Sequence, residues 1–295
     1  MDFNYDEAFK RNIGVVTQDE QNSVSNTVVA LAGVGGIGGS TLLCLVRMGF
    51  QNFKIADLDK FDMGNSNRQV GATLETYNRT KVEVMKEMAL GINPQCKIEV
   101  FGEGVQEHNV DDFLKGAHVV IDCIDFFCMT ARTLLHQKAR ENKLNVFMSA
   151  PMGLSATVIG FSPEGLGFMD YLNLEPGDDK FTQVLKFLIG LAPKATHAKY
   201  VDFSVEKISK IKTGPSIANA VNLGVALLTN EVLMSVTKRR EPMFAPHTLQ
   251  IDMYLQRYEK VKIGRGNKSL IQRLKLYFAA KKYASARKVF NEFIV

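Results

Sequence analysis

The first half of the chain alternates short apolar runs with stretches whose apolar residues recur at helical spacing. Val28-Val29-Ala30-Leu31-Ala32 has the uninterrupted apolar character of a buried strand. It runs into a glycine cluster, and a helical pattern over Thr41 to Met48 stops at Gly49, a C-cap residue. The rhythm then repeats: a strand at Phe53–Asp57, a helix at Thr80–Leu90 ended by Gly91 and Asn93-Pro94, and a strand at Lys97–Phe101. A short helix at Val110–Leu114, a buried strand at His118–Asp125, a helix at Thr130–Glu141 and a strand at Val146–Met148 follow. Strands and helices alternating at this spacing predict a parallel sheet with right-handed crossovers. Ahead of it, residues 5–30 read as one helix, a turn around Gly14, then polar residues leading into the first strand.

From Pro151 the pattern changes. Thr157–Phe161 and Gly167–Tyr171 read as short antiparallel strands, Phe181–Leu191 as a helix, and Pro193–Phe203 as a lid-like connection. A long apolar helix is expected from about Pro215 to Lys238, then a strand from Thr248 to Tyr254 continuing toward Val261, and a basic amphipathic helix over roughly Ser269–Phe293. The expected domains are 1–255, with a nucleotide-binding half (1–150) and a substrate-side half (151–255), and a basic helical extension at 256–295.

Gly33, Gly35 and Gly38 fit the spacing G-x-G-x-x-G between the first strand and helix. In that setting the glycines serve a tight turn, a close backbone approach to phosphate, and close packing of helix on strand. The helix start would offer free N–H groups to an anion. By itself, such a turn is also a plain way to join a strand to a helix. Asp57, at the end of the second strand and 19 positions after Gly38, stands where an acidic residue would hold ribose hydroxyls. The loop Asp57–Gln69 is too long and too rich in Asp, Asn and Arg for a mere connector. Asp125 closes a buried strand at the edge where open α/β sheets bind ligands. The predicted class is therefore α/β: a Rossmann-like, mostly parallel sheet flanked by helices, with antiparallel strands added in the second half.

Composition narrows the class without changing it. The chain has 295 residues, 46% hydrophobic and 23% charged, the profile of an ordinary globular protein. No apolar run reaches the roughly eighteen residues that a membrane span needs. The acidic opening Met1-Asp2-Phe3-Asn4-Tyr5-Asp6-Glu7 is unlike a signal peptide, so a cytoplasmic location is expected. Cys44, Cys96, Cys123 and Cys128 show no framework spacing and are expected as free thiols, and no C-x-x-C pair is present for zinc. Between Arg257 and Lys288 stand eleven Lys or Arg and one acidic residue, Glu259, against a whole-chain net charge of +5. That segment reads either as a solvated helix face or as a surface for an anionic partner.

These pieces, in order, resemble the ThiF/MoeB/HesA family, relatives of the ubiquitin-activating enzymes. The resemblance covers roughly residues 8–255. It is carried by G-x-G-G-x-G at Gly33 to Gly38, Asp57-x-Asp59, Asn65-x-x-Arg68-Gln69, Thr80-Lys81-Val82-Glu83, Ile92-Asn93-Pro94 and Asp122-Cys123-Ile124-Asp125, with Arg11-Asn12-Ile13 upstream. It implies an ATP-dependent adenylyltransferase that activates a carboxylate of a ubiquitin-like protein, a peptide or a small molecule, releasing pyrophosphate. It further implies that Gly33, Gly35, Gly36 and Gly38 cradle phosphate, that Asp57 holds the ribose, and that Asn65, Arg68 and Gln69 contact phosphates. Lys81 would bind the α-phosphate, Asp125 would hold Mg²⁺, and Asp59 would lie beside the metal. Arg11 would act in trans, which implies a homodimer.

The chain departs from the pattern in three places. Phe126 replaces the Asn that commonly follows the second Asp, the zinc cysteines of many members are missing, and no cysteine follows Cys128 to form a thioester. Other readings carried forward are an NAD(P)-dependent oxidoreductase, a non-catalytic nucleotide-binding or substrate-presenting module, and an activator of an RNA-linked carboxylate. In the last, residues 257–288 would be the nucleic-acid footprint.

Overall fold

The computed structural model describes residues 2–202, 215–287 and 291. Among these, eight strands form one sheet in the order β3-β2-β1-β4-β5-β6-β7-β8. The parallel half comprises β1 (Val28–Ala32), β2 (Asn52–Ala56), β3 (Lys97–Phe101), β4 (Val119–Asp122) and β5 (Val146–Met152). Antiparallel strands β6 (Ser155–Phe161), β7 (His247–Asp252) and β8 (Arg257–Lys262) complete it. The chain order reverses between β1 and β4. In an open sheet of this kind, that is where a crevice opens beyond the carboxyl ends of the strands.

Helices α1 (Tyr5–Phe9), α2 (Gln18–Asn26), α3 (Gly36–Arg47), α4 (Lys81–Ile92), α5 (Val110–Leu114) and α6 (Met129–Glu141) precede or cross over the parallel strands. The polar stretch before β1, expected as a connector, is the helix α2. Thr17 and Glu20 form a capping box that satisfies its first amides, and buried Gln21 and Val24 dock it. A second difference lies in the other half, where Gly167–Tyr171 belongs to the helix α7 (Phe168–Leu172), not to a strand. Its buried residues Phe168, Tyr171 and Leu172 follow the i, i+3, i+4 spacing of a helix face.

Helix α8 (Lys180–Leu191) matches its expectation closely. Of the expected lid-like connection, a short 3-10 turn covers Thr196–Lys199, and Phe203 lies outside the described residues. Helix α9 (Ala218–Thr237) corrects the expectation that nothing is long and apolar enough to cross a membrane, since by length and composition it is. Its packing is that of a core helix, with Val221, Val225, Leu228 and Val232 buried in the main apolar cluster beside α3 residues. The strand expected to run on toward Val261 is instead the β7–β8 hairpin, which turns where Gln256 takes a left-handed conformation (φ 52°). The sheet thus continues past position 255. Helix α10 (Leu270–Lys282) supplies the described part of the basic C-terminal helix. Residues 288–290 and 292–295 lie outside the described residues.

One buried polar group sets an acid limit on this fold. His197 Nδ1 lies 3.3 Å from Gln250 Nε2 on β7, and burial lowers its pKa from 6.5 to about 4, with nearby Asp252 opposing the shift. The unfolded chain therefore takes up the proton first. Stability from this group is complete above about 6.5 and is lost as pH falls toward about 4, at up to ~1.4 kcal/mol per unit. Equilibrium denaturation across that range should show this slope, and His197→Gln should flatten it.

Candidate functional site

A cavity of about 360 Å³ opens at the carboxyl ends of the strands and is lined by 34 residues from the β1, β2, β4 and β5 ends and from α8 and the start of α9. Nine of the twelve expected site residues line it: Gly33, Gly35, Gly36, Asp57, Asp59, Arg68, Gln69, Lys81 and Asp125. Their convergence follows from the topology. The turn after β1, the strand end of β2, the loop running to α4 and the strand end of β4 all emerge on one edge.

Two glycines of the turn, Gly33 and Gly38, are held by packing that admits no side chain. Gly33 has φ +87°, and a Cβ there would fall 2.2 Å from the Cys123 carbonyl oxygen; a Cβ on Gly38 would fall 1.8 Å from the Gly33 carbonyl oxygen. Gly38 is therefore a packing glycine outside the cavity lining, whereas Gly35 and Gly36 face the space. Asp57 locks the turn: one carboxylate oxygen accepts from the Val34 amide at 2.8 Å and the other from the Asp59 amide at 2.9 Å. Burial raises its pKa, and the charge of Lys81 and these two bonds oppose that.

Lys81 opens α4 and is buried except for its approach to the cavity. Its Nζ lies 2.7 Å from Asp59 Oδ2, and its amide donates to the Asp59 carbonyl at 2.9 Å. Arg68 Nη1 donates to the Gly64 carbonyl at 3.0 Å and to Asn67 Oδ1 at 2.8 Å, which directs it along the loop. Buried Gln69 has an Oε1 atom with no hydrogen-bond partner, and its amide group lies 3.6 Å from where a Gly35 Cβ would stand. An unpartnered buried acceptor on a cavity wall calls for a donor from a ligand or water. Asp125 is exposed on the opposite rim, its Oδ1 accepting the Phe127 amide at 3.0 Å.

The remaining two lie elsewhere. Asn65 is buried in the loop, where its Oδ1 accepts the Asp62 amide at 3.3 Å and its carbonyl accepts from Arg68 and Gln69. It shapes the loop without lining the cavity. Arg11 sits in the exposed turn Lys10–Asn12, away from the cavity lining, beside exposed Ile13 and Val15.

Arg132, behind the β4 edge, carries no sequence expectation. Its Nε lies 2.8 Å from Asp122 Oδ2, its Nη2 donates to the Ile124 carbonyl at 2.5 Å, and its Nη1 to the Asp125 carbonyl at 3.3 Å. His136 Nε2 lies 2.9 Å from the same Asp122 oxygen and its ring stacks on Phe168 at 4.0 Å. Burial alone would raise Asp122, but the Arg132 charge and the His136 bond hold its carboxyl below the ordinary range. Burial pushes His136 down, toward the neutral form. The sequence did hold a signal: Met129, Arg132, Leu135, His136 and Ala139 share the buried face of α6, so an arginine and a histidine interrupt an apolar stripe.

An open α/β sheet with a glycine turn, a buried lysine and a loop arginine lining one crevice defines a protein of the doubly wound class. The model of the ThiF family matches residues 9–271, and the chain belongs to that family. The tRNA threonylcarbamoyladenosine dehydratase of Haemophilus influenzae is 31% identical over 144 residues, 48% of this chain and 54% of that protein. Its Escherichia coli counterpart is 28% identical over 188 residues, 63% of each chain. A probable molybdopterin-synthase adenylyltransferase of Porphyra purpurea is 27% identical over 128 residues, 43% of this chain and 33% of that one. The chain thus spans between a third and two thirds of these relatives' lengths. Among solved structures, PaaA superposes with a TM-score of 0.66 at 18% identity, covering 89% of this chain and 75% of that one. E. coli MccB with MccA gives 0.62 at 16% identity, covering 86% and 68%. These two likenesses concern the fold.

Proposed function

We propose that the protein uses ATP to adenylate a carboxylate. The observation that carries this reading is the placing of Lys81, Arg68 and the unpartnered Gln69 acceptor on one cavity beside the glycine turn, with the exposed carboxylate of Asp125 in the same lining. In the reaction a carboxylate oxygen attacks the α-phosphorus and forms the new P–O bond. The bond to the bridging oxygen breaks, and its electron pair leaves with pyrophosphate. Charge builds on phosphate oxygens throughout, so fixed cations and amides supply most of the acceleration. In this reading Gly35 and Gly36 let the phosphates approach the backbone, Lys81 neutralises the α-phosphate oxygens, and Arg68 orients the leaving group.

Among the described residues, no three carboxylate, histidine or cysteine groups converge on a metal site. A single exposed carboxylate suits Mg²⁺, which takes one or two carboxylates together with substrate phosphates. Asp125 would hold it, and its chemistry there would be charge neutralisation on the triphosphate. Arg11, exposed and outside the cavity, would reach the phosphates only from a second copy, so a homodimer belongs to this proposal.

A second reading, that RNA carries the carboxylate, is favoured by the relatives named tRNA threonylcarbamoyladenosine dehydratase and by the basic residues from Arg257 onward.

The test is ATP–pyrophosphate exchange in the presence of a panel of peptide, small-molecule and tRNA-borne carboxylates. Label entering ATP only when one of these acids is present supports the proposal. Stabilisation by NAD and not by ATP in a thermal melt would sink it. Within the same frame, Gly38→Ala should weaken ATP binding by about tenfold or more, since a displacement costing only ~1.4 kcal/mol suffices. Calorimetric titration can read this, with Gly91→Ala as the control because a Cβ there meets nothing within 4 Å.

A further inference from the structure

The cavity has two chemically different ends, and the second one bears on which acid is activated. The charged lining beside the glycine turn, Asp57, Asp59, Arg68 and Lys81, comes from the segment between β2 and α4 and from the first residue of α4. Beyond Asp125 the wall passes to Phe126, Met148, Ala150, Met152, Phe187 and Leu188, all belonging to or packed on one apolar cluster. Phe126 meets Phe187 edge-on at 5.4 Å between ring centroids. Asp122 and Arg132 also line the cavity, but their charges are spent on each other: they are paired at 2.8 Å, and the guanidinium lies over the Phe187 ring at 4.5 Å. Ser149 spends its hydroxyl on the Thr157 carbonyl at 2.6 Å. Among the described residues, this end therefore offers an acid no unpaired charge.

Resting on the adenylation reading, we propose that the activated carboxylate belongs to an apolar, preferably aromatic, acyl group that lies between Phe126, Met152 and Leu188. With its carboxylate at the α-phosphate near Lys81, such an acyl chain runs along the β5 edge, away from the nucleotide. A glycine tail would leave the apolar wall bare, and an acidic or amide side chain would lose its water there without a partner.

Non-reactive acyl-adenylate mimics test this without knowledge of the acid: 5′-O-(N-acylsulfamoyl)adenosines carrying 3-phenylpropanoyl, acetyl or succinyl groups, titrated into the whole protein by calorimetry. The phenylpropanoyl compound should bind about tenfold or more tighter than the other two, the discrimination that apolar pockets give. Leu188→Asp, with folding checked by its melting curve, should bring that ratio close to one, and Phe126→Asn should lower it in the same direction. Equal affinities for the three mimics on the wild-type protein, or a succinyl preference, would overturn the proposal while leaving adenylation standing. If unacylated 5′-O-sulfamoyladenosine fails to compete with ATP, the adenylation reading itself fails, and this proposal falls with it.

Discussion

Replacing Arg132 with leucine is expected to lower the unfolding free energy by about 3–5 kcal/mol, the usual cost of removing one partner from a buried ion pair. At this chain length that corresponds to a fall in melting temperature of roughly 10 °C. The cause lies in Asp122, whose side chain is fully buried and whose Oδ2 is shared by Arg132 at 2.8 Å and His136 at 2.9 Å. Without the guanidinium, burial, the largest influence on Asp122, is opposed only by the contact with His136, whose own burial disfavours its charged form. The carboxyl then titrates above its unfolded value in the variant. Its stability should therefore decline as pH rises above about 4, the unfolded value of an aspartate. In the wild type the sign is opposite: the folded value is depressed, so the contribution is present above the unfolded value and is lost only as pH falls below it. Arg132→Lys keeps the charge but cannot reproduce the fork that also binds the Ile124 and Asp125 carbonyls, and it should fall between the two. Melting curves at pH 5 and 8 decide the matter, and a variant as stable as the wild type at both would refute this account.

How far the sequence could be read depended on whether a residue acts through local pattern or through distant partners. The parallel half was legible because β1, β4 and β5 carry apolar runs, β2 and β3 alternate apolar with polar residues, and the longer crossovers show a helical period. The glycine turn was legible for the same reason. Its full meaning was not, since the contact that forbids a side chain on Gly33 comes from the Cys123 carbonyl just past the end of β4, ninety positions along the chain. Lys81 was found through a motif, yet its Asp59 partner lies 22 positions away. Helix α2 was missed because its residues are mostly polar, and only the Thr17 and Glu20 pairing marks its start. The apolar end of the cavity was missed because Phe126, Met152 and Leu188 come from three elements that share no sequence signal and meet only once β5 and α8 are packed. Asn65, marked by a motif as a phosphate contact, also closes the loop on Asp62 through its side-chain oxygen, a local role that the motif did not show.

Lys81→Ala is expected to reduce pyrophosphate exchange by about 10²–10³-fold with whichever acid supports it, the size of losing one fixed donor aimed at developing charge. The argument rests on how the ammonium is held. Burial of the stem and the 2.7 Å contact with Asp59 fix Nζ at the cavity wall before any nucleotide arrives. A charge placed in advance acts on the reacting phosphate without reorganisation, so its loss should appear in the rate far more than in the ATP dissociation constant. The Asp59 ion pair itself contributes at most ~1 kcal/mol, because that side chain is 54% exposed, but buried Asp57 also loses the charge that offsets its burial, so a moderate fall in stability accompanies the loss of rate. Lys81→Arg keeps a cation but spreads it over a larger, planar group, and should recover only part of the rate. Asp59→Asn releases the ammonium from its anchor while leaving it charged, so the loss should be smaller than for Lys81→Ala and should show first as a higher KM for ATP. Exchange within threefold of wild type in Lys81→Ala would remove the lysine from the reaction and leave it as the structural partner of Asp59.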